Sequence, residues 1–357
     1  MTATTAATRP SIRATRTGVR ALLLLFKARA VVVLVALLIF FSSLAPAFLT
    51  ANNFQILTKH VAIAAILAIG MTFVVLTGGI DLSVGSVAGL AGMLVGYLLT
   101  QGIEVGGSRH FLPVTLCVLM AIAISLLVGL LNGWLVSKAG VAPFIATLGT
   151  LYVARGTALL ISNGKTFPNL GGDAAHGNTG FPALGQTFLF GMPMPVWIML
   201  VLFAAALVIA RKTPLGRHIY AVGGNERAAR LAGIRVPLVK LFTYIFAALC
   251  ASLVGLIIAS QLEAAHPATG DSFELNAIAA VVLGGTSLMG GRGSVTGSLL
   301  GACVIGVLSD GLVMLGVSQS ISVLADGYQR SGHHSRCCYR SIADNYPGAV
   351  PPASAAH

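Results

Sequence analysis

The sequence predicts an all-α, polytopic integral membrane protein of about nine transmembrane helices in two pseudo-repeated halves. Three observations carry this. Of the 357 residues 56% are apolar and only 9% charged, where about 25% charge is usual for a soluble domain. Apolar runs of spanning length, about 20 residues for a hydrocarbon core of about 30 Å, recur along the chain. The basic residues lie between those runs: six of the 22 Lys and Arg fall in Met1–Arg29 and seven in Arg211–Lys240. The formal charge of +12 is therefore dispersed as membrane-face labels, which argues against a nucleic-acid partner.

Taken in order, 1–29 is expected as a cytoplasmic basic tail, its first twenty residues polar and Ser/Thr-rich. The run Ala30–Leu49 is long enough to span, and no clear small-residue cleavage site follows it, so it is expected as an uncleaved first span. Further spans are expected at 56–77, 84–101, 112–136, 142–162, 193–210, 241–262, 275–290 and 294–317. With the N-terminus in the cytoplasm, Arg211–Lys240 becomes cytoplasmic after six crossings. Lys138 and Arg292 then share that side, while the connections 163–192 and 263–274 lie opposite. Inside the basic loop the single acid Glu226 opens a short helix, expected to end at Gly233. Such a helix is a surface offered to a cytosolic partner.

One internal repeat is visible. Val74-Val-Leu-Thr-Gly-Gly-Ile-Asp-Leu-Ser-Val-Gly-Ser-Val-Ala-Gly recurs, with short gaps, as Val281-Val-Leu-Gly-Gly-Thr-Ser-Leu-Met-Gly-Gly-Arg-Gly-Ser-Val-Thr-Gly. Each copy ends one span and opens the next through a glycine break, Gly78-Gly79 and Gly284-Gly285. Duplicated halves with broken helices are a transporter pattern.

Catalytic and metal-binding patterns are missing. Asn163-Gly-Lys-Thr166 lacks the glycine that a phosphate loop needs five residues before its Gly-Lys; that position is Leu159. The five cysteines offer no metal spacing, and Cys117, Cys250 and Cys303 sit singly in apolar runs. Neither an enzyme nor a directly bound cofactor or metal is expected. The ionisable residues near the spans each have two readings, since charge at membrane depth is costly and often functional. Asp81 is either a gate or substrate contact, or the N-cap of the next helix. Arg155 either pairs with an acid on another span, Asp310 being a candidate, or lines the path. Asn132, Trp134 and Asn276 can hydrogen-bond a neutral polyhydroxylated solute or simply hold helices together. The lack of clustered intramembrane acids argues against a proton- or sodium-coupled carrier, yet a self-sufficient secondary transporter or channel stays as the alternative class.

The run Ile69-Gly-Met-Thr-Phe-Val-Val-Leu-Thr-Gly-Gly-Ile-Asp-Leu-Ser-Val-Gly-Ser86 resembles the inner-membrane permease of ribose-type sugar ABC importers. Val141–Thr150, Gly216–Asn225, Ala228-Ala229 with Gly233, and Val282–Thr286 are similar to the same family, in order from about Asn53 to Gly316. The resemblance implies a permease for a monosaccharide or sugar alcohol in the bacterial inner membrane, working as a homodimer. It also implies ATP used by a separate cytosolic ATPase subunit, and a periplasmic sugar-binding protein. By the same resemblance Asn225–Gly233 is the coupling helix, with Asn225, Glu226, Arg227, Ala228, Ala229 and Gly233 facing or shaping the ATPase contact.

After Gly316 the chain departs from that pattern. One more span is expected, yet Val323–Arg340 is polar. One permitted codon set for it, read one nucleotide on, encodes FWQMVIKGAVIILAAAID, an apolar helix of the family type. The reading is a frameshift between about Val317 and Val323, which leaves 318–357 as an aberrant, disordered tail and nine spans in place of ten.

Overall fold

In the computed structural model, which describes residues 29–173 and 177–316, every predicted span contains a helix. In chain order they are α1 (Arg29–Leu44), α2 (Ala51–Leu76), α3 (Val84–Thr100), α4 (Val114–Ser137), α5 (Pro143–Ser162), α6 (Ala183–Gln186), α7 (Met194–Lys212), α8 (Pro214–Gly224), α9 (Glu226–Leu231), α10 (Val236–Leu262), α11 (Phe273–Leu283) and α12 (Val295–Met314). Two small antiparallel hairpins, β1 (Ile103–Val105) with β2 (Ser108–His110) and β3 (Phe188–Leu189) with β4 (Met192–Pro193), sit in connections. The expectations for the basic tail before residue 29 and for the polar segment 318–357 fall outside the described residues.

Six helices, α2, α4, α5, α7, α10 and α12, are long and apolar enough to cross a membrane; α1, α3 and α11 are shorter. α2 and α10 form the centre. From Ala65 to Leu76 every residue of α2 is buried, as expected of a helix that is apolar all round. Phe73 of α2 meets Phe246 of α10 edge-on, with ring centroids 5.2 Å apart. Glycines set the helix spacing: Gly70 lies against Cys250, Gly129 against Tyr244 and Ala248, Gly255 against the Ala88 backbone, and Gly301 against Ala280. Close backbone approach of this kind stands in for a hydrophobic driving force that lipid does not supply between helices.

The repeat has a geometric counterpart. At the end of α2 the Gly78 N–H bonds the Val75 carbonyl and the Gly79 N–H the Val74 carbonyl; at the end of α11 Gly285 and Thr286 bond Val282 and Val281 in the same way. Gly78 and Gly285 hold φ of 77° and 90°, the left-handed cap position that glycine takes without a Cβ clash. The copies diverge after the caps: α3 resumes at Val84, whereas α12 resumes only at Val295.

The largest departure from the sequence reading is α11. The span expected at 275–290 is helical only over Phe273–Leu283, roughly 16 Å long at about 1.5 Å per residue, or half the hydrocarbon core. The missing depth is taken by non-helical chain. The connection after α10 runs down the side of α3, where Gly96 packs on Ala265, Gly89 on the Thr269 carbonyl and Gly85 on the Gly270 carbonyl. From Gly96 to Gly85 the helix rise is roughly 16 Å, so this segment descends half a bilayer before α11 begins. Apolarity continues past Leu283 into Leu288-Met289, so hydropathy alone cannot see the early stop.

Candidate coupling and gating site

The basic loop folds into two helices set at one end of the bundle. Thr213 caps α8 through its side chain, which accepts from the Gly216 N–H, and Pro214 occupies the first turn. Asn225 ends α8 and caps α9, its Oδ1 accepting from the Ala228 N–H at 3.0 Å. α9 stops where Gly233 takes φ 81°; the Gly233 N–H reaches the Arg230 carbonyl and the Ile234 N–H the Ala229 carbonyl, a complete Schellman ending. Glu226 joins the two sides of the loop: Oε2 lies 2.7 Å from Lys240 Nζ on α10 and Oε1 lies 3.1 Å from Arg230. The hydrogen bond from Lys240 holds the Glu226 carboxyl below its usual range, aided by the Arg230 charge and opposed by partial burial.

Of α9, Ala229 faces inward, while Arg227, Ala228, Arg230 and Leu231 are exposed. Leu231 is 89% exposed, a large apolar side chain standing free in a basic loop. Sequence reasoning passed over it, although an unpatterned leucine among charges was the available signal.

The connections that follow both glycine breaks meet this loop. Gly223 of α8 sits against the Leu76 carbonyl and the Gly291 amide, and the Gly291 N–H donates to the Leu76 carbonyl at 2.9 Å. Tyr220 donates from its hydroxyl to the Gly293 carbonyl at 3.0 Å, and burial pushes its phenol up from the usual value. Lys138 lines a groove with Pro237 and Leu238 at the same end, together with Trp134, which is half-exposed there. At the opposite end Phe167 and Ala265 pair through two backbone bonds, and the Leu170 N–H reaches the Glu263 carbonyl.

Asp81 lies in the first break, 1% exposed. The helix after it is capped by position at Ser83, not at Asp81, and Ser83 makes no side-chain cap bond. Asp81 Oδ1 instead accepts from the Ser83 N–H and hydroxyl at 2.9 and 2.6 Å. Asn132 donates to the Ser83 hydroxyl at 2.9 Å, and Thr150 donates to Asn132 Oδ1 at 2.8 Å. This chain of donors from α5 through α4 braces the break. Asn132 is fully buried with both ends of its amide engaged.

Arg155 of α5 holds the descending connection. Nη1 donates to the carbonyls of Pro267 and Thr269 at 2.5 and 2.8 Å, and Nη2 lies 2.6 Å from Asp271. The guanidinium satisfies backbone carbonyls that lipid could not. Its acidic partner is Asp271 and not Asp310; Asp310 accepts from Asn53 Nδ2 at 3.0 Å and faces His60 at 3.5 Å. Asn276 lies on the first turns of α11 beside a cavity bounded by α2, α10 and α12. Among the described residues no group of three or more His, Cys, Asp or Glu could hold a metal ion.

A glycine-packed bundle, with a structured basic loop tied by backbone to two broken-helix connections, defines the membrane-spanning component of a transport system. The chain belongs to the family described as the permease component of branched-chain amino acid transport systems, whose profile matches residues 53–327. It is 44% identical over 291 residues to the ribose import permease protein RbsC of Bacillus subtilis, covering 82% of this chain and 86% of that one. It is 42% identical over 301 residues to RbsC of Escherichia coli K12, covering 82% and 88%. With the xylose transport system permease protein XylH of the same bacterium it shares 34% over 339 residues, covering 80% and 84%. No solved structure matches the chain.

Proposed function

We propose that this chain is the permease subunit of an ATP-binding-cassette importer that carries a monosaccharide or sugar alcohol across a bacterial inner membrane. In this reading the N-terminus and Arg211–Lys240 are cytoplasmic, a separate ATPase subunit docks on α9 and hydrolyses ATP, and a second permease copy and a periplasmic sugar-binding protein complete the assembly. Relatives named for ribose and for xylose support a sugar rather than an amino acid as cargo.

The observation that carries the proposal is the backbone contact of Gly223 with Leu76 and Gly291. A push on α9 passes through Asn225 to α8 and thence to both breaks, and through Glu226–Lys240 to α10. These joints are short and hydrogen-bonded, so closure of a partner below becomes a movement of helix ends above. Gly78, Gly79, Asp81, Gly284 and Gly285 are the gate in this scheme. Of the three candidate path residues, Asn276 lines the path, while Asn132 and Arg155 hold the first break and the descending connection in place. Cysteines at Arg227 or Leu231 and on the ATPase surface test the docking: nucleotide-dependent cross-links are expected, and their absence with Leu231→Cys, alongside an inserted and folded chain, would remove the assignment.

A further inference from the structure

We propose that the cavity between α2, α10, α11 and α12 is a binding site for a neutral polyhydroxylated molecule of monosaccharide size, carried by this chain itself. The proposal rests on the importer reading and adds that the permease, not only a binding protein, recognises the cargo.

The cavity measures about 370 Å³, at the low end of small-molecule sites, which run from about 300 to 1,000 Å³. Four helices each contribute one polar group to its wall: His60 from α2, Gln261 from α10, Asn276 from α11 and Ser309 from α12. Those groups have hydrogen-bonding capacity to spare. The Gln261 Nε2 is buried with no partner, while Asn276 and Ser309 are exposed on the same wall. A polar group left unmet beside apolar walls is costly, and lipid chains offer it nothing.

The charge pattern selects a neutral ligand. Among the described residues no Lys or Arg lines the cavity, and His60 already faces Asp310, so an anion finds no free counterion. The adjacent Asp310 carboxylate is already engaged by Asn53 and His60, so a cation finds no free partner. Two carboxamides, each with donor and acceptor atoms, match the alternating needs of neighbouring hydroxyls. The ring of Phe273, at the start of α11, supplies an apolar wall for the carbon face of such a molecule. That wall stands directly after the connection clamped by Arg155, so the cavity and the descending segment are built as one unit.

The test uses the full chain in nanodiscs, without ATPase or binding protein, titrated with radiolabelled D-ribose. Saturable binding is expected, displaced by D-xylose and not by ribose 5-phosphate. Gln261→Met and Asn276→Leu, close in volume to the originals, should each weaken it at least tenfold, while Leu127→Gln on the outer side of α4 leaves it unchanged. No saturable binding by the unmodified chain, or equal affinity in Gln261→Met and Asn276→Leu, overturns the proposal. The two readings separate once both partners are added. ATP-driven uptake with an unchanged KM in Gln261→Met would sink the site and leave the importer standing. Ribose binding without ATP-driven uptake would do the reverse.

Discussion

Truncating Leu231 isolates the docking contact from the fold. The side chain is 89% exposed, so Leu231→Ala should leave the permease itself intact. If α9 seats in a groove of an ATPase subunit, the truncation removes three buried carbons at about 0.8 kcal/mol each. Scaled by the exposed fraction that is about 2 kcal/mol, roughly a 30-fold loss of affinity. Leu231→Asp should cost more, because a carboxylate would have to be desolvated on docking. The assay is equilibrium binding of the purified ATPase subunit to the nanodisc-embedded chain, followed by interferometry. Phe190, 88% exposed in the hairpin of the opposite face, gives a control of comparable apolar area, and Phe190→Ala should leave affinity unchanged. Equal affinity for Leu231→Ala and the unmodified chain, or the same loss with Phe190→Ala, would refute the reasoning.

Arg155→Leu should strand the Pro267 and Thr269 carbonyls. At about 1.5–3 kcal/mol for each charged hydrogen bond, the loss is about 3–6 kcal/mol, seen as a lower unfolding temperature and faster proteolysis of 263–272; Asp271, 65% exposed, adds little. Gly223→Ala should abolish uptake, since a Cβ there meets the Leu76 carbonyl, while Gly156→Ala, with nothing within 4 Å, should be silent; equal uptake in the two would show the loop contact to be dispensable. Gly96 is unsuitable as such a reference, because Ala265 and Phe167 press on it. Glu226 has a folded pKa below its ordinary 4.5, so its ion pairs stabilise the loop fully above the unfolded value and are lost as pH falls through the lower folded value. The protection of the α9 amides, taken relative to intrinsic exchange at each pH, should therefore fall in acid in the unmodified chain, and Glu226→Gln should show the low protection at neutral pH already; protection independent of pH would contradict this. Resequencing between Val317 and Val323 should show a displaced frame, and restoring it should raise uptake; an intact frame with full activity would disprove the frameshift.

Composition and apolar runs were enough to place nine helical segments, because each lies in an apolar run, but not their lengths: α11 stops at Leu283 inside a run that continues to Met289. The end of α9 was legible too, since Gly233 acts through local backbone geometry; the Asn225 cap was not read. Tertiary features were not. Arg155 finds Asp271 and two carbonyls more than a hundred positions away, and nothing in spacing distinguishes that acid from Asp310. Asp81 looked like a cap because acids often are, but the turn needed its acceptor two residues before the cap position Ser83. The descent beside α3 depends on glycines at 85, 89 and 96 facing the same way, which becomes meaningful only once the partner segment is in place.

The most direct test is uptake of radiolabelled ribose into proteoliposomes holding this chain in its encoded and frame-restored forms. The chain alone should transport nothing under a proton or sodium gradient. Cognate ATPase and sugar-binding protein together should confer ATP-dependent uptake that Leu231→Asp abolishes. Gradient-driven uptake by the chain alone would contradict the account and make it a self-sufficient carrier.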